Sequence, residues 1–319
     1  MKRLFALITA VVPFVSTAAV RYVDLNSPSP TSPYTSWSTA ATNIQDAIDV
    51  AIVGDRVLVT NGVYRAGPGS IVVVNATNAI IIESVNGPAE TLVDGDASLP
   101  CASLTGGAMM RGCTLTNGYG GVGCESAANV LSNCVLVGNS DGGAVGGTLY
   151  NCVISQNFRK YGGGAYGSIL VNCLVSSNSA EEVGGGIYAS VATNCILVSN
   201  FGGAGGAGES TLYGCLVYNN TGYDAGGGYY CTFDNCTLSN NWAFNGGGGA
   251  NLSTLNFCTL TGNFSGTGGA VQGSTLNGCV LRDNSAFAGG AIYGGSATNC
   301  AIIENRATND GGGAECFHG

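Results

Sequence analysis

The chain has 319 residues, of which 53 are glycine and only 9% are charged. Apolar residues make up 45% of the chain, which favours a folded protein, and the glycines have no Gly-X-Y period, which excludes a collagen helix. The formal charge of −9 argues against nucleic acid or an anionic membrane as the main partner. His318 is the single histidine, so catalytic triads and histidine-rich metal sites are nearly excluded.

Residues 1–19 have the order of a secretory signal peptide. Lys2 and Arg3 precede an apolar run from Leu4 to Val15, and small residues follow up to Ala19. The run is too short to span a bilayer comfortably, although a membrane anchor or a buried strand is the alternative. We therefore expect cleavage near Ala19, a mature chain without a transmembrane helix, and a secreted, periplasmic or bacterial cell-surface location.

The next 80 residues predict short strands and one helix near residues 43–53. Arg21–Leu25, Arg56–Thr60 and Ser70–Val74 have the apolar, β-branched composition of strands. Asn43 is placed to cap the helix and Gly54 to end it. The apolar residues at helical spacing are Ile44, Ala47, Ile48, Ala51 and Ile52.

From Cys113 onward the sequence repeats with a period of about 21 residues. Each unit has a cysteine, an aliphatic residue two positions later, an asparagine five positions after the cysteine (in the last nine units), and a glycine cluster before the next unit. The ladder cysteines are Cys113, Cys134, Cys152, Cys173, Cys195, Cys215, Cys236, Cys258, Cys279 and Cys300. The ladder asparagines are Asn139, Asn157, Asn178, Asn200, Asn220, Asn241, Asn263, Asn284 and Asn305.

Units this short predict a β-solenoid. The cysteine and the aliphatic residue after it share the period of two of a strand, and the glycine corners leave no room for a helix. One unit cannot bury a face alone, so it must stack on its neighbours. Stacked asparagine amides can then hydrogen-bond from coil to coil.

Two features resemble the right-handed parallel β-helix class, the pectin-lyase-like superfamily. The opening, with Asn43-Ile-Gln-Asp-Ala-Ile-Asp and Gly54-Asp-Arg-Val-Leu-Val, is similar to the helical cap and first coils of that superfamily. The repeated Asn-Cys-x-aliphatic-x-x-Asn unit with its Gly-Gly pair is similar to repeats of bacterial surface proteins and polymorphic outer-membrane proteins, most clearly at residues 283–292.

This resemblance implies an all-β, single-stranded β-helix with an N-terminal capping helix. Residues 20–100 would form the cap and first coils, and residues 101–319 the repeat coils. The sequence stops partway through a unit at Gly319, so we expect the chain to be truncated at its C-terminus.

The chain has 14 cysteines, and an exported protein normally uses an even number for disulfides. Ladder cysteines on adjacent coils would hold their Cβ atoms about 4.8 Å apart, whereas a disulfide needs about 3.8 Å. We therefore expect the ladder to consist mostly of reduced, buried thiols. Cys101, Cys124, Cys231 and Cys316 lie off the ladder and are expected to pair or to be exposed. No Cys-x-x-Cys pair is present, so no metal is expected.

Charged residues collect between each asparagine and the next glycine cluster, and they are the candidate catalytic residues. Asp141, Arg159, Lys160, Glu181 and Glu182 are expected to stack in one column. Under the superfamily resemblance, a lyase would use a cation here as the base and carboxylates to hold Ca²⁺. The alternative is a solvated corner whose charges offset each other. The Asp-Asp, Gly-His-Gly and Arg-x-Lys runs typical of the superfamily's enzymes are missing.

Two sets of outward side chains are candidates for ligand binding or sheet stabilisation. Four tyrosines stand seven residues before a ladder cysteine and predict either a sugar-stacking stripe or stacked rings that stabilise the sheet: Tyr166, Tyr188, Tyr229 and Tyr293. The residue after the ladder cysteine should face outward, yet it is apolar in six units: Val135, Val153, Leu174, Ile196, Leu216 and Val280. Either β-propensity explains these apolar residues, or a loop or partner covers them.

Three functions fit these patterns. The acidic surface and the missing catalytic runs favour an exported, non-catalytic β-helix with a surface or adhesin-like role. A polysaccharide lyase or glycoside hydrolase is the second, and a carbohydrate-binding protein that uses the tyrosines is the third. No cofactor is expected, except Ca²⁺ under the lyase alternative. The expected partner is extracellular polysaccharide or another surface protein, not nucleic acid.

Overall fold

The computed structural model describes residues 18–315. They form a parallel β-solenoid of about 12 coils, as the repeat predicts. Residues 1–17 of the predicted signal peptide, as well as Cys316 and His318, lie outside the described residues. Because every strand pairs with the equivalent strand of the next coil, residues that share a position in the repeat lie above one another along the axis.

Three parallel sheets run along the solenoid. Sheet 1 has 23 strands, Val20–Val23, Arg56–Val59, Val74–Ala76, Ile81–Ser84, Ala102–Leu104, Met109–Arg111, Val122–Cys124, Val130–Ser132, Ala144–Val145, Thr148–Tyr150, Ala165–Tyr166, Ile169–Val171, Ile187–Tyr188, Val191–Thr193, Ala207–Gly208, Thr211–Tyr213, Gly228–Tyr229, Thr232–Asp234, Ala250–Asn251, Thr254–Asn256, Val271–Asn277, Ile292–Thr298 and Ala314–Glu315. Sheet 2 has 12 strands, Gly62–Tyr64, Thr91–Asp94, Thr114–Thr116, Val135–Val137, Val153–Ser155, Leu174–Ser176, Ile196–Val198, Leu216–Tyr218, Thr237–Ser239, Thr259–Thr261, Val280–Arg282 and Ala301–Ile303. Sheet 3 has eight strands, Phe158–Arg159, Ser179–Ala180, Phe201–Ala204, Thr221–Ala225, Trp242–Ala243, Phe264–Thr267, Ser285–Ala288 and Arg306–Asp310.

Helix α1 covers Ile44–Asp49, and a 3₁₀ turn at Trp37–Thr39 precedes it. The Asn43 side chain caps α1 by accepting the N–H of Asp46 at 2.7 Å, as predicted. The helix ends earlier than predicted, because the N–H of Ala51 already bonds the carbonyl of Ile48 in a tighter turn. Its role as a cap of the solenoid stays a prediction. Within residues 18–315 no helix is long and apolar enough to cross a membrane.

The predicted strand at Ser70–Val74 is wrong in its position. The strand covers Val74–Ala76, and Ile71 before it is 82% exposed. Gly69 has a φ of +82° and the N–H of Ser70 donates to the carbonyl of Gly67, so the chain is still turning where the apolar run begins.

The ladder cysteines form the inward stack that the repeat predicts. All but Cys300 are buried, and several backbone N–H groups donate to the thiol one coil further on, as from Cys173 to Cys195 Sγ at 3.3 Å. All cysteines within residues 18–315 are free thiols. The expectation that off-ladder cysteines pair or are exposed is therefore wrong for Cys101 and Cys231, which are unpaired and at most 2% exposed. Cys124 is unpaired and half-buried.

The two buried off-ladder thiols occupy inward-facing positions of other columns. Cys101 Sγ donates to the carbonyl of Thr116 at 3.3 Å. The N–H of Cys231 donates to Ser253 Oγ at 3.0 Å, so Cys231 stands in a column of serines at a corner of sheet 1. Burial raises the pKa of the Cys231 thiol to about 12, which keeps it protonated at neutral pH.

The asparagine ladder is confirmed as a continuous chain of amide hydrogen bonds from Asn139 to Asn305. At Asn178 the side-chain oxygen accepts the backbone N–H and the amide N–H of Asn157, both at 3.0 Å. The Asn178 amide donates to Asn200 Oδ1 at 3.1 Å and back to the carbonyl of Ile154 at 2.9 Å. From Asn139 to Asn284, each ladder asparagine thus bonds polar groups of both neighbouring coils.

Candidate functional site

The five predicted charged residues come together at one corner, where sheet 3 begins. The backbone N–H of Glu181 donates to the carbonyl of Arg159 at 3.0 Å, and that of Glu182 donates to the carbonyl of Lys160 at 2.9 Å, so the two acids lie one coil after the two cations. Arg159 Nε lies 3.4 Å from Asp141 Oδ1, and Lys160 Nζ lies 3.6 Å from Glu182 Oε1. The predicted column therefore exists, and four of its five charges form two ion pairs, while no ion pair is formed by Glu181 within residues 18–315.

The pairing leaves the column poorly suited to lyase chemistry. The Arg159 guanidinium lies between the Asp141 carboxylate and the ring of Tyr166, 4.9 Å from the ring centroid. Only 23% of the Arg159 side chain is exposed. A catalytic base must reach the proton that it removes. Among the described residues, no group of three or more His, Cys, Asp or Glu side chains is placed to hold a metal ion. The geometry favours a corner whose charges offset each other.

The four predicted tyrosines do not form a continuous stripe. Tyr166 and Tyr188 are neighbours in register, and their rings stack with centroids 5.7 Å apart. The next position in the column is Gly208, and two polar residues separate Tyr229 from Tyr293. The stacked pair can stabilise the sheet at these two coils, and a sugar-binding role for the set stays a prediction.

Tyr188 has the most perturbed environment of these tyrosines. Burial raises the pKa of its phenol to about 12, and a hydrogen bond to Glu209 and the charge of that carboxylate act in the same direction. The ring also lies 5.3 Å from that of Tyr161. A phenol that is protonated at every physiological pH can donate a hydrogen bond but cannot act as a base.

The apolar positions after the ladder cysteines do face outward on sheet 2. The row is continuous from Val135 to Leu216, and threonines then interrupt it before Val280. Most of these side chains are half-buried, while Leu216 is 45% exposed. The row contains no aromatic ring, and the preference of β-branched and aliphatic residues for strands is sufficient to account for it.

A cleft of about 650 Å³ lies where the chain leaves sheet 1 towards sheet 2. Glu83, Met109, Arg111 and Tyr150 contribute to its lining. Arg56 Nη2 lies 2.6 Å from Glu83 Oε2 and forms an ion pair with it. Arg111 forms no ion pair within residues 18–315, and its Nη2 lies 3.9 Å from Met109 Sδ. With Glu83 as the single acid in its lining, the cleft does not provide the two carboxylates of a glycosidase.

An exposed row of aromatic side chains on sheet 3 is the feature that sequence analysis missed. We call it the aromatic face. Its members lie on five consecutive coils and are between 37% and 60% exposed. They are Phe201, Tyr223, Trp242, Phe244, Phe264 and Phe287.

Four of the six rings of the aromatic face contact one another along the solenoid axis. The ring centroids of Tyr223 and Phe201 are 5.7 Å apart in an edge-to-face arrangement. Those of Tyr223 and Phe244 are 5.2 Å apart, and these two rings stack with 20° between their planes. Trp242 and Phe244, on one coil, are 4.2 Å apart. A shallow hollow of about 280 Å³ continues past them between Phe264 and Phe287. The result is a contiguous apolar surface of the kind that marks a binding site.

Strand alternation explains why these residues face outward. The ladder asparagine points inward, so the residue after it points outward, the next points inward, and the third again points outward. Phe201, Trp242 and Phe264 follow a ladder asparagine directly, whereas Tyr223, Phe244 and Phe287 stand three positions after one. This rule was readable in the sequence once the asparagines were aligned.

Comparisons with known proteins establish the fold. No family model matches the sequence, and no curated protein is similar to it. The A-module of the mannuronan C-5 epimerase AlgE4 from Azotobacter vinelandii aligns over 91% of this chain and 99% of its own, with 13% identity and a TM-score of 0.51. The Dettilon tailspike protein aligns over 88% of this chain and 65% of its own, with 13% identity and a TM-score of 0.50. The chain therefore has the right-handed parallel β-helix fold that its repeat and its opening segment predicted.

Proposed function

We propose that this protein is an exported β-helix that binds polysaccharide on its aromatic face and does not cleave it. The observation that carries the proposal is the row of six exposed aromatic side chains across five coils, four of which are in ring contact. The mannuronan C-5 epimerase, which shares the fold, supports a carbohydrate partner by its name. Export rests on the predicted signal peptide, and binding of a surface polymer would give the protein an adhesin-like role.

The shape of the aromatic face fits a polymer better than a single sugar. Aromatic rings present a broad apolar surface, and the ring faces of sugars are lined by C–H groups that can pack on it. The rings follow the solenoid axis from Phe201 to Phe287, so successive sugars of one chain can each meet an aromatic side chain. Because the surface is shallow and open, a long chain can lie along it without threading its ends.

The test is calorimetric titration with soluble β-glucan, mannan, arabinogalactan, alginate and polygalacturonate. The double variant Tyr223→Ala/Phe244→Ala should bind the recognised polymer at least about tenfold more weakly, because exposed aromatic anchors carry most of the energy of such contacts. Tyr213→Ala is the matched control, since Tyr213 is a similarly exposed tyrosine on sheet 1. Thermal melts check that all variants are folded.

Two results would contradict the proposal. One is an unchanged affinity of the double variant for the polymer. The other is a dimer in solution that the double variant converts to a monomer while no polymer binds, which would make the aromatic face a contact between copies of the chain. Light scattering on both proteins separates these outcomes.

A lyase would release unsaturated sugars in the presence of Ca²⁺, and the proposed binding protein would not. We expect no Ca²⁺-dependent release of unsaturated sugars from polygalacturonate or alginate, because Arg159 is held by Asp141 and Tyr166. An absorbance assay for unsaturated products, with and without chelator, measures this directly. Chelator-sensitive turnover that Arg159→Ala or Arg111→Ala abolishes, and that Arg282→Ala on the outer surface of sheet 2 retains, would establish the enzyme instead.

A further inference from the structure

We infer that the polymer on the aromatic face is uncharged, a neutral polysaccharide and not a polyuronate. The inference rests on the proposed function and adds the chemical class of the ligand. It is carried by the charge distribution along sheet 3 and not by the fold, since the epimerase that shares this fold is named for mannuronan.

The strands that carry the aromatic face contain one charged residue and no cation. These strands are Phe201–Ala204, Thr221–Ala225, Trp242–Ala243, Phe264–Thr267 and Ser285–Ala288. The one charged residue is Asp224, which is exposed beside Tyr223. The whole chain has 10 Lys and Arg against 19 Asp and Glu, so the surrounding field is negative as well.

The cations of sheet 3 stand outside the aromatic face. At the near end, Arg159 and Lys160 are already paired with Asp141 and Glu182. At the far end, Arg306 is on the coil after Phe287. A chain lying across Tyr223, Trp242 and Phe244 therefore meets no positive side chain.

This distribution of charge favours neutral polymers over acidic ones. A polyuronate carries a carboxylate on every sugar, and packing it on aromatic rings would remove water from those carboxylates without supplying a partner. Asp224 would add repulsion at the centre of the face. A neutral polymer has no such cost, and its hydroxyls can bond the outward Thr221 and Ser285, which occupy the same row as Phe201 and Trp242.

The first measurement compares neutral and acidic polymers at low and high salt. Mannan, β-glucan and arabinogalactan form the neutral set, and polygalacturonate and alginate the acidic set. We expect binding within the neutral set only, with an affinity that salt leaves unchanged, because no ion pair contributes to it. Tighter, salt-sensitive binding of an acidic polymer would overturn this inference and leave the proposed function standing. Binding of neither set would overturn the proposed function itself.

The second measurement changes the charge of the face without removing a ring. Thr221→Lys places a cation between Phe201 and Trp242, and Thr221→Gln is its uncharged control of similar length. We expect the Lys variant to bind polygalacturonate about fivefold more tightly than the Gln variant at low salt, and equally at high salt. Equal binding of polygalacturonate by both variants at low salt would show that charge on this face does not select the polymer.

Discussion

Replacing Asn178 by alanine is expected to lower the free energy of unfolding by about 2–6 kcal/mol, because two buried donors are orphaned at about 1–3 kcal/mol each. Both donors belong to Asn157, whose backbone N–H and one amide proton bond Asn178 Oδ1. The carbonyl of Ile154 also loses the Asn178 amide. The substitution therefore damages the previous coil as well as its own.

Denaturant unfolding of Asn178→Ala measures this effect, with Asn26→Ala as the control because Asn26 is exposed and lies outside the ladder. Asn178→Ala/Asn200→Ala should cost less than the sum of the single changes, since Asn178 and Asn200 share a hydrogen bond. Unfolding curves that do not move for two substitutions on adjacent coils would show that the ladder is incidental to stability.

Replacing Asp55 by alanine is expected to cost about 3–5 kcal/mol, because it leaves a buried cation without its partner. Asp55 is fully buried, and its Oδ2 accepts from Arg21 Nε at 3.1 Å and Nη2 at 2.9 Å. The same carboxylate accepts the backbone N–H groups of Ala19 and Ile52. Asp55 thus ties the first strand of sheet 1 to the turn that follows α1.

The pH dependence of this effect has a defined sign. Burial raises the pKa of Asp55, but hydrogen bonds from Ala19, Ile52 and Arg21 outweigh it, so the pKa lies below the ordinary value of 3.8. The contribution of the carboxylate is full above that ordinary value and is lost as the pH falls through the lowered pKa of the folded protein.

Denaturant unfolding of wild type and Asp55→Asn, at neutral pH and in acid below 3.8, measures the contribution. The stability difference between the two proteins should shrink in acid. Asp94→Asn is a useful comparison, because the pKa of Asp94 is also lowered. Burial raises the pKa of Asp94, but hydrogen bonds from Asp96, Asn117 and Arg65 lower it by more. A wild-type advantage over Asp55→Asn that is the same at both pH values would contradict this assignment.

The solenoid was predictable because each coil repeats the same residue types at the same places. Cysteine, aliphatic residue and asparagine recur at intervals that vary only from 18 to 22 residues, and each type has one structural use in the coil. The buried Cys101 and Cys231 were misjudged because they belong to inward columns built from other residue types. Only the packing of the coils shows that those positions face the core.

The aromatic face escaped prediction for a related reason. Its residues come from two different positions after the asparagine, and neither position is aromatic in every coil. Thr221 and Ser285 interrupt one row, and Gly203 and Gly266 leave gaps beside the other. The surface becomes continuous only when rings from both rows touch, as Tyr223 does with Phe201 and Phe244.

Tryptophan fluorescence tests most directly whether polysaccharide binds this face. The chain has two tryptophans, and Trp37 packs against Tyr22 near the N-terminus, so a Trp37→Phe protein reports on Trp242 alone. Titration with the polymer identified by calorimetry should shift the Trp242 emission to shorter wavelength, because a sugar displaces water from the ring. The shift should saturate with the calorimetric affinity. Polymer binding that leaves the Trp242 emission unchanged would contradict the account.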